Sequence, residues 1–203
     1  MPIPQTYVTS PEAAVNFDFA DVLTDVGYVT LTALDDEAGG QKLSRLVVDS
    51  TNLRTSVAQP GSVESNFDFE FLTSQKVKGD LLLTITIWAH DTGTGNTTND
   101  TTVEIFHVDS GATETTIGTQ QAITQLVTAG DGNYRTTLTF AVDKQFAVGD
   151  KLRVEVISTI TGNAGGDVGG VYHDPLNRTT ITDQHSSGAN TNLIVQVPFQ
   201  LDL

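Results

Sequence analysis

Apolar and polar side chains alternate along most of the chain from Val63 to its last residue. In the clearest segment, residues 81–90, five apolar side chains share one face: Leu81, Leu83, Ile85, Ile87 and Ala89. Thr84, Thr86 and His90 occupy the other face. Successive side chains of a β-strand point to opposite faces, so this pattern predicts a strand with one face in a core.

Similar patterns predict further strands, separated by turns rich in glycine, aspartate and asparagine. The predicted strands are 16–19, 27–34, 42–49, 63–72, 81–90, 101–108, 113–126 (weaker, as two short strands), 134–142, 152–156, 179–182 and 192–201. The long connections 91–100 and 161–190 fit Greek-key crossovers better than a simple meander, and 161–170 is predicted as a flexible glycine-rich loop. The expected fold is therefore all-β, a jelly-roll-like antiparallel β-sandwich with an extended N-terminal arm.

The first sixty residues differ from the regular body, which we place at 61–203. Residues 1–10 carry two prolines and no periodicity, which predicts an extended arm that packs on the body or reaches beyond it. Pro2, Ile3, Pro4 and Tyr7 are the candidate arm contacts.

Charge and composition exclude several classes of function. The chain holds 25 acidic and 10 basic residues, a formal net charge of −15, and no cysteine. This charge repels phosphate backbones, so nucleic-acid binding is not expected. Without cysteine there is no disulfide, thiolate metal site or cysteine nucleophile. No apolar run of membrane-spanning length and no signal peptide is visible, so neither a membrane partner nor secretion by that route is expected.

Candidate metal chemistry is fragmentary. None of the four histidines forms a close metal-binding pair, although His173, Asp174 and His185 fall in one irregular region. The segments 91–96 and 109–111 have part of the Asp/Gly character of calcium loops, without the full pattern and its closing glutamate. Turns closed by side-chain hydrogen bonds are favoured there, so no cofactor is predicted and a bound Ca²⁺ is kept as the alternative.

No enzyme is predicted. The chain has no Gly-x-Ser-x-Gly elbow and no phosphate-binding loop. Trp88, the only tryptophan, lies opposite the main apolar face of its strand and is a candidate for a second packed layer, a subunit contact or a sugar-stacking platform.

Two C-terminal segments carry a resemblance. Val171-Tyr172-His173-Asp174-Pro175-Leu176-Asn177-Arg178 precedes a final stretch, 192–203, that ends Pro-Phe-Gln-Leu-Asp-Leu. This arrangement resembles structural proteins of tailed-phage virions, as does the N-terminal Phe17-Asp18-Phe19 followed by Gly27-Tyr28-Val29. The resemblance implies a capsid decoration or cement protein, or a tail-associated one.

The function expected from these observations is that of a non-enzymatic virion protein, made in the host cytoplasm, with a homo-oligomeric partner and the major capsid protein or other virion proteins. The candidate subunit-contact residues are Tyr172, His173, Asp174, Pro175, Asn177 and Arg178. The alternative is a carbohydrate- or receptor-binding β-sandwich module of a tail or fibre, which requires Trp88 or the tyrosines to line an exposed groove.

Overall fold

The computed structural model describes residues 26–35, 40–46, 54–93, 95–162, 165–173 and 193–200. This part of the chain is all-β and folds as a jelly-roll-like sandwich of two facing layers. Its strands are β1 (Val26–Asp35), β2 (Gln41–Ser44), β3 (Val57–Ala58), β4 (Gly61–Glu70), β5 (Gln75–Asp91), β6 (Thr97–Val108), β7 (Glu114–Thr116), β8 (Gln121–Val127), β9 (Gly130–Phe146), β10 (Lys151–Thr161), β11 (Val168–Tyr172) and β12 (Ile194–Gln200). None of the described residues forms a helix that could cross a membrane.

The first layer is built around β5. One edge of β5 pairs with β9 along all seventeen residues, from Gln75 opposite Phe146 to Asp91 opposite Gly130. The other edge pairs first with β12 and then with β11, and β1 and β3 extend the layer beyond these two strands. Apart from one parallel contact described below, every ladder of the fold is antiparallel.

The second layer places β10 between β4 and β6, and β6 pairs in turn with β7 and β8. Strand β2 joins the layers along one flank, because it pairs with β1 and makes a parallel contact between Lys42 and Asp68 of β4. The N-terminal portion therefore contributes β1 and β2 to the same sandwich as the body.

Apolar side chains from both layers meet in a single core. Leu83 and Ile85 of β5, Val103 of β6 and Val154 of β10 are fully buried and belong to this cluster, as does Leu31 of β1. The predicted apolar face of residues 81–89 is thus confirmed, since alternation turns every second side chain of a strand toward the facing layer.

Three strands extend into segments that were predicted as turns or loops. Lys78-Gly79-Asp80 has the composition of a turn, but β5 starts at Gln75 and runs through all three residues. Gly79 has a φ of 129°, which favours glycine at the point where Pro198 packs against it. Pro198 has no N–H for the ladder, and the register of β12 on β5 shifts between Gln196 and Phe199. β6 begins at Thr97, inside the predicted polar loop.

The prediction of a loop over 161–170 is wrong for its last residues, because β11 begins at Val168. Gly169 and Gly170 are strand residues that let other groups come close: Ile160 packs against Gly169, and the Thr55 carbonyl lies over Gly170. A side chain at either position would collide with these neighbours, so the glycines serve close packing and not flexibility. The predicted strands at 16–19 and 179–182 and the N-terminal arm lie outside the described residues.

Candidate functional site

The flank formed by β8 and β9, opposite the flank closed by β2, carries one strand edge from each layer that no other described strand pairs with. Among the described residues, β9 pairs only with β5 and β8 pairs only with β6. Two residues separate β8 from β9, so both strand edges lie along one flank. Leu126 of β8 and Tyr134 of β9 are 58% and 47% exposed, although large apolar side chains favour burial. We call this surface the β8–β9 flank.

Gln121 covers part of the free edge of β9. Its Nε2 donates to the carbonyl of Thr139 at 2.5 Å. Near the end of β9, Lys76 pairs with the exposed carboxylate of Asp143, and the hydrogen bond from Lys76 lowers the pKa of Asp143. A strand edge of this length is a template for pairing with another chain, and only a few polar contacts moderate it here.

Trp88 does not form a sugar-stacking platform. Its ring is buried, its Nε1 donates to the Thr55 carbonyl at 3.1 Å, and the Arg54 guanidinium lies 4.1 Å from the ring centroid. Arg54 also donates to the hydroxyl of Tyr172 at 3.1 Å. Segment 54–58 therefore covers the outer face of β5 and β11, which confirms the alternative that Trp88 carries a second packed layer.

Of the predicted subunit-contact residues, the structure describes Tyr172 and His173. Both are buried within this chain, and the His173 ring packs 5.7 Å from that of Phe67. Their side chains are occupied by internal contacts, so a contact through this segment would use the residues that follow. Asp174, Pro175, Asn177 and Arg178 lie outside the described residues, as do the arm residues Pro2, Ile3, Pro4 and Tyr7 and the histidine at 185.

Two other histidines are held by aspartates. His107 Nε2 and Asp150 Oδ2 are 2.7 Å apart, and both side chains are buried. The hydrogen bond with His107 and the one from the N–H of Ala147 hold the pKa of Asp150 below its usual value, against the opposing effect of burial. His90 Nδ1 lies 2.5 Å from Asp131 on the outer face of β5. No group of three or more metal-binding His, Cys, Asp or Glu side chains occurs in the part of the chain described here.

The predicted turn at 109–111 is confirmed. Asp109 Oδ1 accepts from the N–H groups of Gly111 and Thr113 at 2.9 and 2.8 Å, and these bonds lower the pKa of Asp109. With its carboxylate used in this way, the segment is a turn closed by a side chain rather than a calcium loop.

The outer face of the second layer carries a band of carboxylates. Glu155 of β10 stands opposite Glu104 of β6, and burial together with Glu64, Glu104 and Glu114 raises the pKa of Glu155. Arg153 partly compensates the negative charge of this band, since its guanidinium forms two hydrogen bonds of 2.7 and 2.8 Å with the Asp68 carboxylate. The band concentrates the negative charge that disfavours phosphate-rich partners.

Sequence reasoning missed the β8–β9 flank. The pattern over 113–126 was weak and glutamine-rich, and no alternation reveals which strand will lie at an edge. The available signals are the length of the β9 pattern and residues 129–133, which predict a turn. They predict a strand and not its neighbours, and the turn is shorter than predicted because β9 already begins at Gly130.

Comparison with known proteins identifies the fold only. No protein-family model matches the chain, and no curated protein matches it. Among solved structures, an aminopeptidase from a marine sediment Thaumarchaeota archaeon matches with a TM-score of 0.53 at 11% identity, covering 87% of this chain and 37% of that one.

A CocE/NonD family hydrolase from Staphylococcus aureus gives a TM-score of 0.49 at 10% identity, covering 86% of this chain and 37% of its own. The VP2 protein of infectious bursal disease virus gives a TM-score of 0.30 at 16% identity, covering 86% of this chain and 36% of the VP2 chain. The chain thus spans just over a third of these solved chains. At such identities the likeness extends to the all-β sandwich and not to activity.

Proposed function

We propose that this chain is a non-enzymatic structural component of a virus particle, which assembles through protein–protein contacts on a phage capsid as a decoration or cement protein. The β8–β9 flank carries the proposal. It presents a seventeen-residue strand edge beside the exposed Leu126 and Tyr134, and both features favour contact with another protein.

The virion assignment draws on the sequence. The segment from His173 to Arg178 and the final strand resemble structural proteins of tailed-phage virions, and jelly rolls are frequent in capsids. The net charge of −15 suits a component that does not bind packaged DNA.

A second copy of the chain is the first partner expected at the β8–β9 flank. Antiparallel addition of β9 to β9 of another copy would extend the first layer across a twofold axis, the commonest symmetry of homo-oligomers. Each copy would then satisfy backbone groups along the free edge of the other.

Size-exclusion chromatography with light scattering over a hundredfold concentration range tests this contact. We expect an oligomer that the double variant Thr139→Lys, Ala141→Lys weakens at least tenfold, because both positions are exposed near the middle of β9 and lysine opposes edge pairing. Gln196→Lys is the control for a single added lysine, since it places the same side chain at an exposed position of β12 away from the flank.

A protein that stays monomeric at every concentration and fails to bind purified particles would refute the proposal. The neighbouring genes provide a second test: a major capsid or portal gene is expected next to this one, whereas a purely metabolic neighbourhood would contradict a virion role.

A further inference from the structure

Two buried carboxylates face each other at the end of the sandwich where β5 stops and β11 starts. Val168 pairs with His90 and Gly169 with Ala89, so the next residues outward, Asp167 and Asp91, stand opposite one another. Side chains opposite each other on antiparallel strands share a face and lie about 5 Å apart at their Cβ atoms. Asp91 is 2% exposed and Asp167 is 1% exposed.

One carboxylate oxygen of Asp91 lacks a hydrogen-bond partner. Asp167 Oδ1 accepts from the N–H and Oγ1 of Thr92 at 3.0 and 2.9 Å. Asp91 Oδ1 accepts from the N–H of Gly93 at 2.5 Å, whereas its buried Oδ2 has no hydrogen-bond partner. No lysine, arginine or histidine in the described ranges forms an ion pair with Asp91. A buried carboxylate oxygen without a partner favours the approach of a cation.

A third oxygen faces this space from the other layer. Thr97, the first residue of β6, is 0% exposed and its Oγ1 has no hydrogen-bond partner. Two residues further along β6, Asn99 donates to the carbonyls of Trp88 and Gly170, which places β6 beneath β5 and β11. Thr97 precedes Asn99 by two residues, and Asp91 and Asp167 lie three residues from Trp88 and Gly170 toward the same end of the sandwich, so we expect Thr97 to face the two aspartates.

We propose that Asp91, Asp167 and Thr97 form a binding site for a calcium ion that joins the two layers at this end of the sandwich. The donors are all hard oxygens, which Ca²⁺ prefers, and backbone carbonyls or water would complete its six to eight ligands. Ca²⁺ tolerates irregular coordination better than Mg²⁺, which requires near-octahedral geometry. This inference is independent of the proposed function.

Calorimetric titration and thermal unfolding of the EDTA-dialysed protein test the site. We expect CaCl₂ to bind at a ratio of one per chain and, at about ten times the dissociation constant, to raise the melting temperature by about 3–6 °C. MgCl₂ and NaCl at matched ionic strength should raise the melting temperature markedly less. Absence of a calcium effect, or an equal effect of Mg²⁺, would overturn the assignment.

Substitutions separate ion binding from a structural role of the same residues. Asp91→Asn should abolish the calcium shift yet leave the EDTA-treated protein at least as stable as the wild type, because it removes an uncompensated buried charge. Thr97→Val keeps the shape of the side chain and should weaken calcium binding about tenfold. Asp109→Asn is the control and should keep the full shift. An undiminished shift in Asp91→Asn would refute the site.

Terbium luminescence provides a readout that needs no variant. Trp88, the only tryptophan, precedes Asp91 by three strand residues, about 10 Å, which is close enough to sensitise bound Tb³⁺. We expect Tb³⁺ emission on excitation of the tryptophan and its loss when CaCl₂ is added. Emission that Ca²⁺ does not displace would contradict a shared site.

Discussion

Asn99 connects the two layers, and its replacement by alanine should destabilise the fold strongly. Its Nδ2 donates to the carbonyls of Trp88 and Gly170 in the first layer, and its Oδ1 accepts from Thr101 Oγ1 in its own strand. The side chain is fully buried, so water cannot replace these bonds. Each bond contributes about 1 kcal/mol net, which gives a loss of about 3 kcal/mol for the three.

Thermal unfolding followed by circular dichroism measures this loss. For a chain of this size 1 kcal/mol corresponds to about 2–4 °C, so Asn99→Ala should lower the melting temperature by about 6–12 °C. Asn66→Ala is the matched control, because Asn66 forms an exposed bond of 2.7 Å with Glu64 and should cost at most about 0.5 kcal/mol.

Asn99→Asp separates the hydrogen bonds from the volume of the side chain. It keeps the shape but turns an acceptor and a charge toward two carbonyl oxygens, so it should destabilise the protein more than alanine at neutral pH. If Asn99→Ala lost no more stability than the control Asn66→Ala, the hydrogen bonds of Asn99 would not hold the layers together.

Three further predictions concern charge and close packing. The pKa of Asp150 is lowered in the folded state, so its contribution to stability should be present above the unfolded pKa and be lost as the pH falls through the folded pKa. In urea unfolding between pH 2 and 7, the free energy of unfolding of Asp150→Asn should therefore fall less steeply with acidification than that of the wild type. The pKa of Glu155 is raised, so ionisation opposes folding, and Glu155→Gln should raise the melting temperature at pH 7 with little change at pH 3. Gly170→Ala should lower stability by about 1–3 kcal/mol, because its methyl group would collide with the Thr55 carbonyl; an unchanged denaturation midpoint would contradict that packing.

Much of the fold could be predicted because the alternation of apolar and polar residues along a strand is a local property of the sequence. The buried face of residues 81–89, the strand from residue 134 and the turn at Asp109 follow from side-chain direction and turn chemistry within a few residues. The start of β6 at Thr97 was missed because Thr97, Asn99 and Thr101 are polar residues that face inward. The burial of Asn99 and Thr101 depends on hydrogen bonds to distant strands, which no local pattern contains.

The candidate surfaces depended on the order of strands in space. The edge position of β9 arises from this order, as does the placement of Asp91 and Asp167, seventy-six positions apart, just beyond the β5–β11 ladder. The exposure of Tyr134 has the same origin, because an apolar side chain at a free edge has no facing layer to cover it.

The sequence by itself determined the all-β class, the core faces of the main strands and the acidic character of the protein, because each depends on composition or on a period of two residues. Only the tertiary structure decided that Trp88 is covered, that β8 and β9 leave one flank open, and that two carboxylates meet at one end of the sandwich. These features depend on which strands become neighbours, and strand pairing joins residues whose separation along the chain leaves no local signal.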